Sequence, residues 1–250
     1  MNLLESHKEL VSTAQGPCVF RPLPPIRDEQ SHESWLAHFP HQTEVETISC
    51  LDIDHLHNVR LRTQPTSWQQ KSAQNPDDWF ADEQSLPLER FLNEVPFRRF
   101  CLQIRSSSPL FLELLQQVLL ENGYAERVIL SCRHEGAAEI LTRLLPKAIH
   151  CLPFAASVRI LLNCLNQHQT LPQTRYSMIT LPAQTNPTQM LSSIHVSRLK
   201  ANGLWVNIPV SHPGEVSLAQ QIGADGLVLM NGTPEHFGLP MVSKGALGAR

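Results

Sequence analysis

Ala201-Asn-Gly-Leu-Trp-Val-Asn-Ile-Pro-Val210 and, shortly after it, Ile222-Gly-Ala-Asp-Gly-Leu-Val-Leu-Met-Asn231 decide how this chain folds. They read as a Gly-terminated helix, a buried strand, a short helix ending at Gly223 and a second buried strand. Leu204–Val210 and Leu227–Met230 are apolar runs bounded by turn residues, the pattern of strands covered on both faces. Two strands joined through one helix make a βαβ unit, which implies a parallel sheet.

Upstream, the same rhythm recurs. Phe100–Ile104 is a strand, and Ser108-Pro-Leu-Phe opens a helix with a Ser cap, Pro at its first position and Gly123 just past its end. Residues 127–132, 148–152 and 176–181 read as strands. Residues 134–145, 156–168 and most of 187–202 read as helices. Leu86–Leu92 reads as a helix with Pro87 in its first turn, where a missing N–H costs nothing. Nearer the start, residues 16–22 and 44–53 read as strands, residues 58–62 as a further one, residues 27–42 as an amphipathic helix around Trp35, and residues 64–78 as a polar loop. Taking Cys18, Cys50, Cys101, Cys132, Cys151, Ile179, Val206 and Val228 as strand centres gives eight strands in 250 residues. That count and length predict a single (β/α)8 barrel spanning residues 16–250, preceded by a tail or short helix over 1–15.

Composition narrows the class of function. Apolar residues make up 42% and charged residues 17%, and the formal net charge is −3, which offers no general attraction to nucleic acid or an anionic membrane. No window approaches a membrane span, and the first residues lack the apolar core of a signal peptide, so the expected placement is cytoplasmic. Six cysteines form no C-x-x-C pair and read as buried free thiols. Trp35, Trp68, Trp79 and Trp205 are too dispersed for a base-stacking platform. His32, His38 and His41 read as surface positions on the amphipathic helix.

Several of these stretches resemble the glycerophosphodiester phosphodiesterase family, a TIM-barrel family. The likeness is carried by Asp78-Trp-Phe-Ala-Asp-Glu-Gln-Ser-Leu-Pro-Leu-Glu-Arg-Phe-Leu92, Phe100-Cys-Leu-Gln-Ile-Arg105, Val128-Ile-Leu-Ser131, Gly203–Val210 and Gly223-Ala-Asp-Gly-Leu-Val228. It implies hydrolysis of glycerophosphodiesters with a carboxylate-held divalent cation, Mg2+ or Ca2+, and two histidines for proton transfer.

At the positions that would carry this chemistry the sequence departs from the family. The family's first-strand His-Arg-Gly matches Phe20-Arg21-Pro22, leaving Arg21 alone. Its Glu-x-Asp matches Glu46-Thr47-Ile48, leaving Glu46. Its second histidine falls around Leu61-Arg62. Its third-strand glutamate is Gln103, a neutral donor, and its phosphate-facing lysine is Arg105, which can bind an oxyanion bidentately. Loss of metal charge together with acid–base groups implies very weak or lost hydrolysis, because acid–base groups alone contribute roughly 10²–10⁴-fold. What is left is a cationic, phosphate-sized pocket around Arg21 and Arg105 for a small phosphoester. A rearranged site is the alternative: Asp52, Asp54, His55 and His57 lie within six residues and, with Glu46 and Gln103, could form a shifted metal site with His55 or His57 as acid–base. Against it, polar residues crowd strand ends in any barrel, and period 2 puts the two Asp and the two His on opposite faces.

Three other turns follow strands, where barrel sites gather. Cys132-Arg-His134 offers a thiol and an imidazole. Arg105-Ser-Ser-Ser108 precedes a helix N-terminus suited to phosphate. Asn231-Gly-Thr233 is a similar anion-compatible turn.

Overall fold

The computed structural model describes residues 18–22, 44–53, 59–62, 85–94, 100–166, 170–181, 190–230, 234–237 and 239. The expected amphipathic helix over 27–42, the polar loop over 64–78, the tail over 1–15 and the Asn231–Thr233 turn lie outside them. The chain divides into two compact units, one centred on residues 149–250 with the strand at 18–22, the other on residues 46–148.

In the second unit, β2 (Glu44–Ile53) and β5 (Phe100–Ile104) pair in parallel, as do β5 and β6 (Val128–Cys132). On the other side of β2 the sheet continues antiparallel through β3 (Val59–Arg62) to β4 (Ser85–Pro87). The helices are α1 (Leu88–Glu94), α2 (Pro109–Glu121) and α3 (Glu135–Leu144). One expectation fails here. Pro87 does not open a helix but closes β4, in register with Arg60, and the helix begins at Leu88. Proline lacks the N–H that a central strand needs, and β4 ends the strand order, where that loss leaves no ladder bond unmade.

In the first unit, β1 (Cys18–Pro22), β10 (Gly226–Leu229), β9 (Trp205–Val210), β8 (Met178–Thr180) and β7 (Ile149–Cys151) pair in that order, all parallel. Their helices are α4 (Phe154–Leu165), α5 (Ser193–Ala201) and α6 (Pro213–Gln221), and a 3-10 turn spans Pro234–Phe237. Of the helix expected over 187–202, residues 187–189 lie outside the described residues, Met190 is helical, and α5 itself begins at Ser193. The N–H of Ser192 donates to His195 Nδ1 at 3.1 Å, so the imidazole plays the part a glutamate takes in a capping box. From β5 to β10 the chain runs as six successive parallel strands alternating with helices.

Each sheet buries one row of side chains against its helices. In the first unit Ile179, Leu181, Val206, Ile208, Val210, Leu227 and Leu229 pack with Ile160 and Leu161 of α4, Val196 and Leu199 of α5, and Val216 and Ala219 of α6. In the second, Phe100 meets Phe91 of α1 edge-on at 4.9 Å between ring centres and Tyr124 at 6.1 Å. Helix α2 buries Phe111, Leu112, Leu115 and Leu119, the i, i+4, i+8 row of an amphipathic helix.

Return from helix to strand uses one device three times. Gly123, Gly203 and Gly223 have φ of 70°, 82° and 87°. After each, the next N–H bonds back to a carbonyl five residues earlier: Tyr124 to Leu119 at 2.8 Å, Leu204 to Leu199 at 3.2 Å, Ala224 to Ala219 at 3.0 Å. These are Schellman motifs, which satisfy the last helical carbonyls and turn the chain toward the sheet. After Gly223, Asp225 locks the return: its Oδ2 accepts from the Val206 N–H at 2.9 Å and its Oδ1 meets Lys200 Nζ at 2.8 Å.

Two glycine substitutions are therefore expected to act with opposite sign. Nothing lies within 4 Å of a Cβ added at Gly123 or at Gly136 in α3, so only backbone conformation differs between them. Gly123→Ala should lower stability by about 1–2 kcal/mol, the cost of the left-handed conformation for an L-residue. Gly136→Ala should raise it by about 0.5–1 kcal/mol, because helix formation then loses less backbone entropy. Urea unfolding midpoints at unchanged slope check both.

Candidate functional site

Strand β5 is the best described part of the candidate site. Phe100, Leu102 and Ile104 are buried on the helix-facing row, each at 1% exposure or less. Alternation then puts Cys101, Gln103 and, just past the strand, Arg105 on the opposite face. Gln103 and Arg105 are both half-buried. Gln103 stands in register with Ser49 of β2 and with Ser131 of β6, so the level just below the strand's C-terminal end is a row of polar residues.

Beyond Arg105 the chain makes a short turn into α2. The Ser108 N–H donates to Ser106 Oγ at 3.2 Å, Ser108 is the N-cap, and Pro109 occupies the first helical turn. Local chemistry explains the stop and start: Ser side chains bind nearby backbone N–H groups, and Pro is preset for the first turn. Arg105 thus stands three residues before the N-cap of a 13-residue helix. Free N–H groups at such an end, with the helix dipole, favour an anion.

The other expected residues are placed as follows. Glu46 is in register with Phe100, at the opposite end of β5 from Arg105. Asp52 lies between Cys50 and Ile53, where the β2–β3 register shifts. Arg21 lies near the end of β1, one residue past Phe20, which pairs with Val228 of β10. Asp54, His55 and His57 lie outside the described residues. Gln103 and its two register partners, Ser49 and Ser131, include no carboxylate. A hard cation such as Mg2+ or Ca2+ demands six or more oxygens, several of them charged. These residues alone do not fit a metal, and no step is routed through one.

The pairing of Cys132 with His134 as nucleophile and base does not stand. Cys132 is in register with Ile104, so it belongs to the helix-facing row and turns away from Gln103 and Arg105. It is 4% exposed, and burial, with a smaller contribution from Cys101, pushes its thiol up to about 12. A nucleophilic cysteine needs the reverse, a pKa lowered by a nearby cation or helix end. His134 caps α3 and is exposed. The remaining described cysteines, Cys101, Cys151 and Cys164, are buried thiols in no disulfide, as expected, and burial raises the Cys164 thiol as well.

A histidine–carboxylate pair was not anticipated. After β9, His212 Nε2 lies 3.3 Å from Glu215 Oε1, while the Ser211 N–H donates to Glu215 Oε2 at 2.6 Å. The i, i+3 spacing at a Pro-Gly helix start was the available signal, and the pair clasps the first turn of α6. Among the described residues no group of three or more His, Cys, Asp or Glu comes together as a metal site, and no helix is long and apolar enough to cross a membrane.

No family model and no curated protein matches the sequence. Solved structures do. The glycerophosphoryl diester phosphodiesterase domain of a Mycobacterium tuberculosis protein superposes with TM-score 0.62 at 12% identity, covering 86% of this chain and 96% of that one. A glycerophosphodiester phosphodiesterase from Parabacteroides distasonis gives 0.57 at 13%, covering 85% and 92%. One from Agrobacterium tumefaciens gives 0.57 at 11%, covering 89% and 99%. The chain has the fold of the glycerophosphodiester phosphodiesterases. At these identities the likeness establishes the parallel α/β architecture of that fold, and the chemistry rests on the residues themselves.

Within this phosphodiesterase-like fold, Cys132 is expected to stay unmodified by iodoacetamide in the native protein at pH 8, and to be alkylated only after unfolding. Peptide mass spectrometry reads this directly. Rapid native alkylation at Cys132 would put a reactive thiolate back among the candidates.

Proposed function

We propose that the chain is a closed (β/α)8 barrel of the glycerophosphodiester phosphodiesterase type that binds a small phosphoester at the C-terminal end of its strands and hydrolyses it very slowly or not at all. The observation that carries this reading is the position of Arg105. It directly follows β5, in alternation on the face of Gln103, and stands three residues before the N-cap of α2, which brings a guanidinium and a helix N-terminus together in the chain. A phosphate there would receive charge-assisted hydrogen bonds from the guanidinium in addition to the field of the helix end. Gln103 occupies the position at which the family resemblance calls for a metal-binding carboxylate. An amide can orient a ligand hydroxyl, but it supplies no negative charge to a cation.

The alternative is a working metal-dependent phosphoric diester hydrolase using Glu46, Asp52, Asp54 and Gln103 with His55 or His57. One observation favours it: Asp52 sits where the β2–β3 register shifts, and such irregularities recur beside active sites.

Calorimetric titration separates the two readings. Mg2+ or Ca2+ followed by a glycerophosphodiester should give no heat of turnover, whereas inorganic phosphate or a phosphomonoester should bind. Arg105→Ala should weaken that binding by about 10–100-fold, the loss of one charge-assisted contact of roughly 1.5–3 kcal/mol. Micromolar metal binding with sustained turnover would establish the hydrolase instead. Unchanged phosphate affinity in the Arg105 variant would remove this site from both readings.

A further inference from the structure

Strand β9 carries two buried polar atoms of opposite kind on one face. Val206, Ile208 and Val210 fill the helix-facing core, so Trp205, Asn207 and Pro209 form the row turned away from the helices. Asn207 is fully buried. Its Nδ2 donates to Thr180 Oγ1 across the β8–β9 register at 3.4 Å, a long contact. Among the described residues, Asn207 Oδ1 and Trp205 Nε1 have no hydrogen-bond partner, and both atoms are buried. Such groups normally find one, because each left unpaired costs as much as a lost hydrogen bond. On the other side of Asn207, its register partner on β10 is Gly226, which adds no side chain to this row.

The pair of unmet needs selects the chemistry of the occupant. Indole N–H is only a donor and the amide oxygen only an acceptor. A cation could serve Asn207 but not Trp205, and an anion the reverse. A neutral oxygen that both accepts and donates serves both. Residues i and i+2 lie on one strand face with Cα atoms about 7 Å apart, close enough for long side chains to share one site. Thr180 Oγ1, beside Asn207, supplies a third partner, the usual number for an internal water.

We propose that the face of β9 turned away from the helices binds one amphiprotic oxygen, a hydroxyl bridging Trp205 Nε1 and Asn207 Oδ1 with Thr180 alongside. Water and the hydroxyl of a small polyol share that chemistry. The site lies within the first unit and does not depend on the phosphoester reading.

A crystal structure from polyol-free solution, at a resolution that shows ordered water, tests it, with a second structure after soaking in glycerol. Oxygen density within 3.2 Å of both atoms in the first, taking 3.2 Å as about the outer hydrogen-bond limit, identifies water. Density appearing only after the soak identifies a polyol hydroxyl. A protein atom from elsewhere in the chain on either group, or two groups left dry, overturns the proposal. The sign of a melting shift gives an independent reading. With the bridge present, Asn207→Leu strands the Trp205 N–H and should lower Tm by about 2–8 °C. If Oδ1 is dry, the same near-isosteric change removes a penalty and Tm should hold or rise. Trp205→Phe should lose the bridging density at Asn207 or leave it held by Thr180 alone, and a fully unchanged oxygen position would also overturn the bridge.

Discussion

Complete burial of one row of strand side chains against the helices is the constraint on which the rest of this structure depends. A parallel strand has helices over one face, so its alternate residues must be apolar and close-packed there. Phe100, Leu102 and Ile104 in β5, and Val206, Ile208 and Val210 in β9, meet that demand at 1% exposure or less. Each residue in between is released from it. That release places Gln103 of β5 on the face opposite the helices, and likewise Asn207 and Trp205 of β9, the last strand but one. The polar chemistry of the protein is confined to what the apolar row leaves open.

Loop chemistry then sets where the strands and helices meet. Three Schellman turns with a positive-φ glycine return α2, α5 and α6 to the sheet, and Asp225 ties the last of them to β9. Before α2 and α6 the turns are built by Ser, Pro and His. Ser106 and Ser108 precede α2, and His212, Pro213 and Glu215 shape the start of α6. Helices α2, α5 and α6 thus each end in a glycine turn, while polar residues shape the starts of α2 and α6. Arg105 stands just before the start of α2, which is why a phosphoester reading survives even though Gln103 weakens the case for a metal.

Cys132 shows how little residue type alone says about reactivity. A thiol beside an arginine and a histidine, just after a strand, has the composition of a nucleophilic site. Its register partner is Ile104, however, and the helix layer that covers that row desolvates the thiol and raises its pKa to about 12. The low dielectric that stabilises the core penalises a thiolate there.

Local patterns in the chain determined a good deal. Cysteine positions marked strands at Cys18, Cys50, Cys101, Cys132 and Cys151, because small apolar residues recur in buried strands, and Gly123, Gly203 and Gly223 marked helix ends because only glycine takes that conformation without strain. Gln103 and Arg105 were likewise legible, the first as neutral where the resemblance calls for a carboxylate, the second as cationic where it calls for a lysine. Pro87 was misread because proline before Leu88 looks the same whether it opens a helix or closes an edge strand, and only pairing with the distant Arg60 decides between them. Period 2 tells which residues share a face, but not which face meets the helices. Contacts such as Phe100 on Phe91 settle that, and so the tertiary structure alone decided that Cys132 is core, that Gln103 is not, and that Asn207 and the Trp205 indole N–H are buried on the face of β9 turned from the helices, with complementary needs.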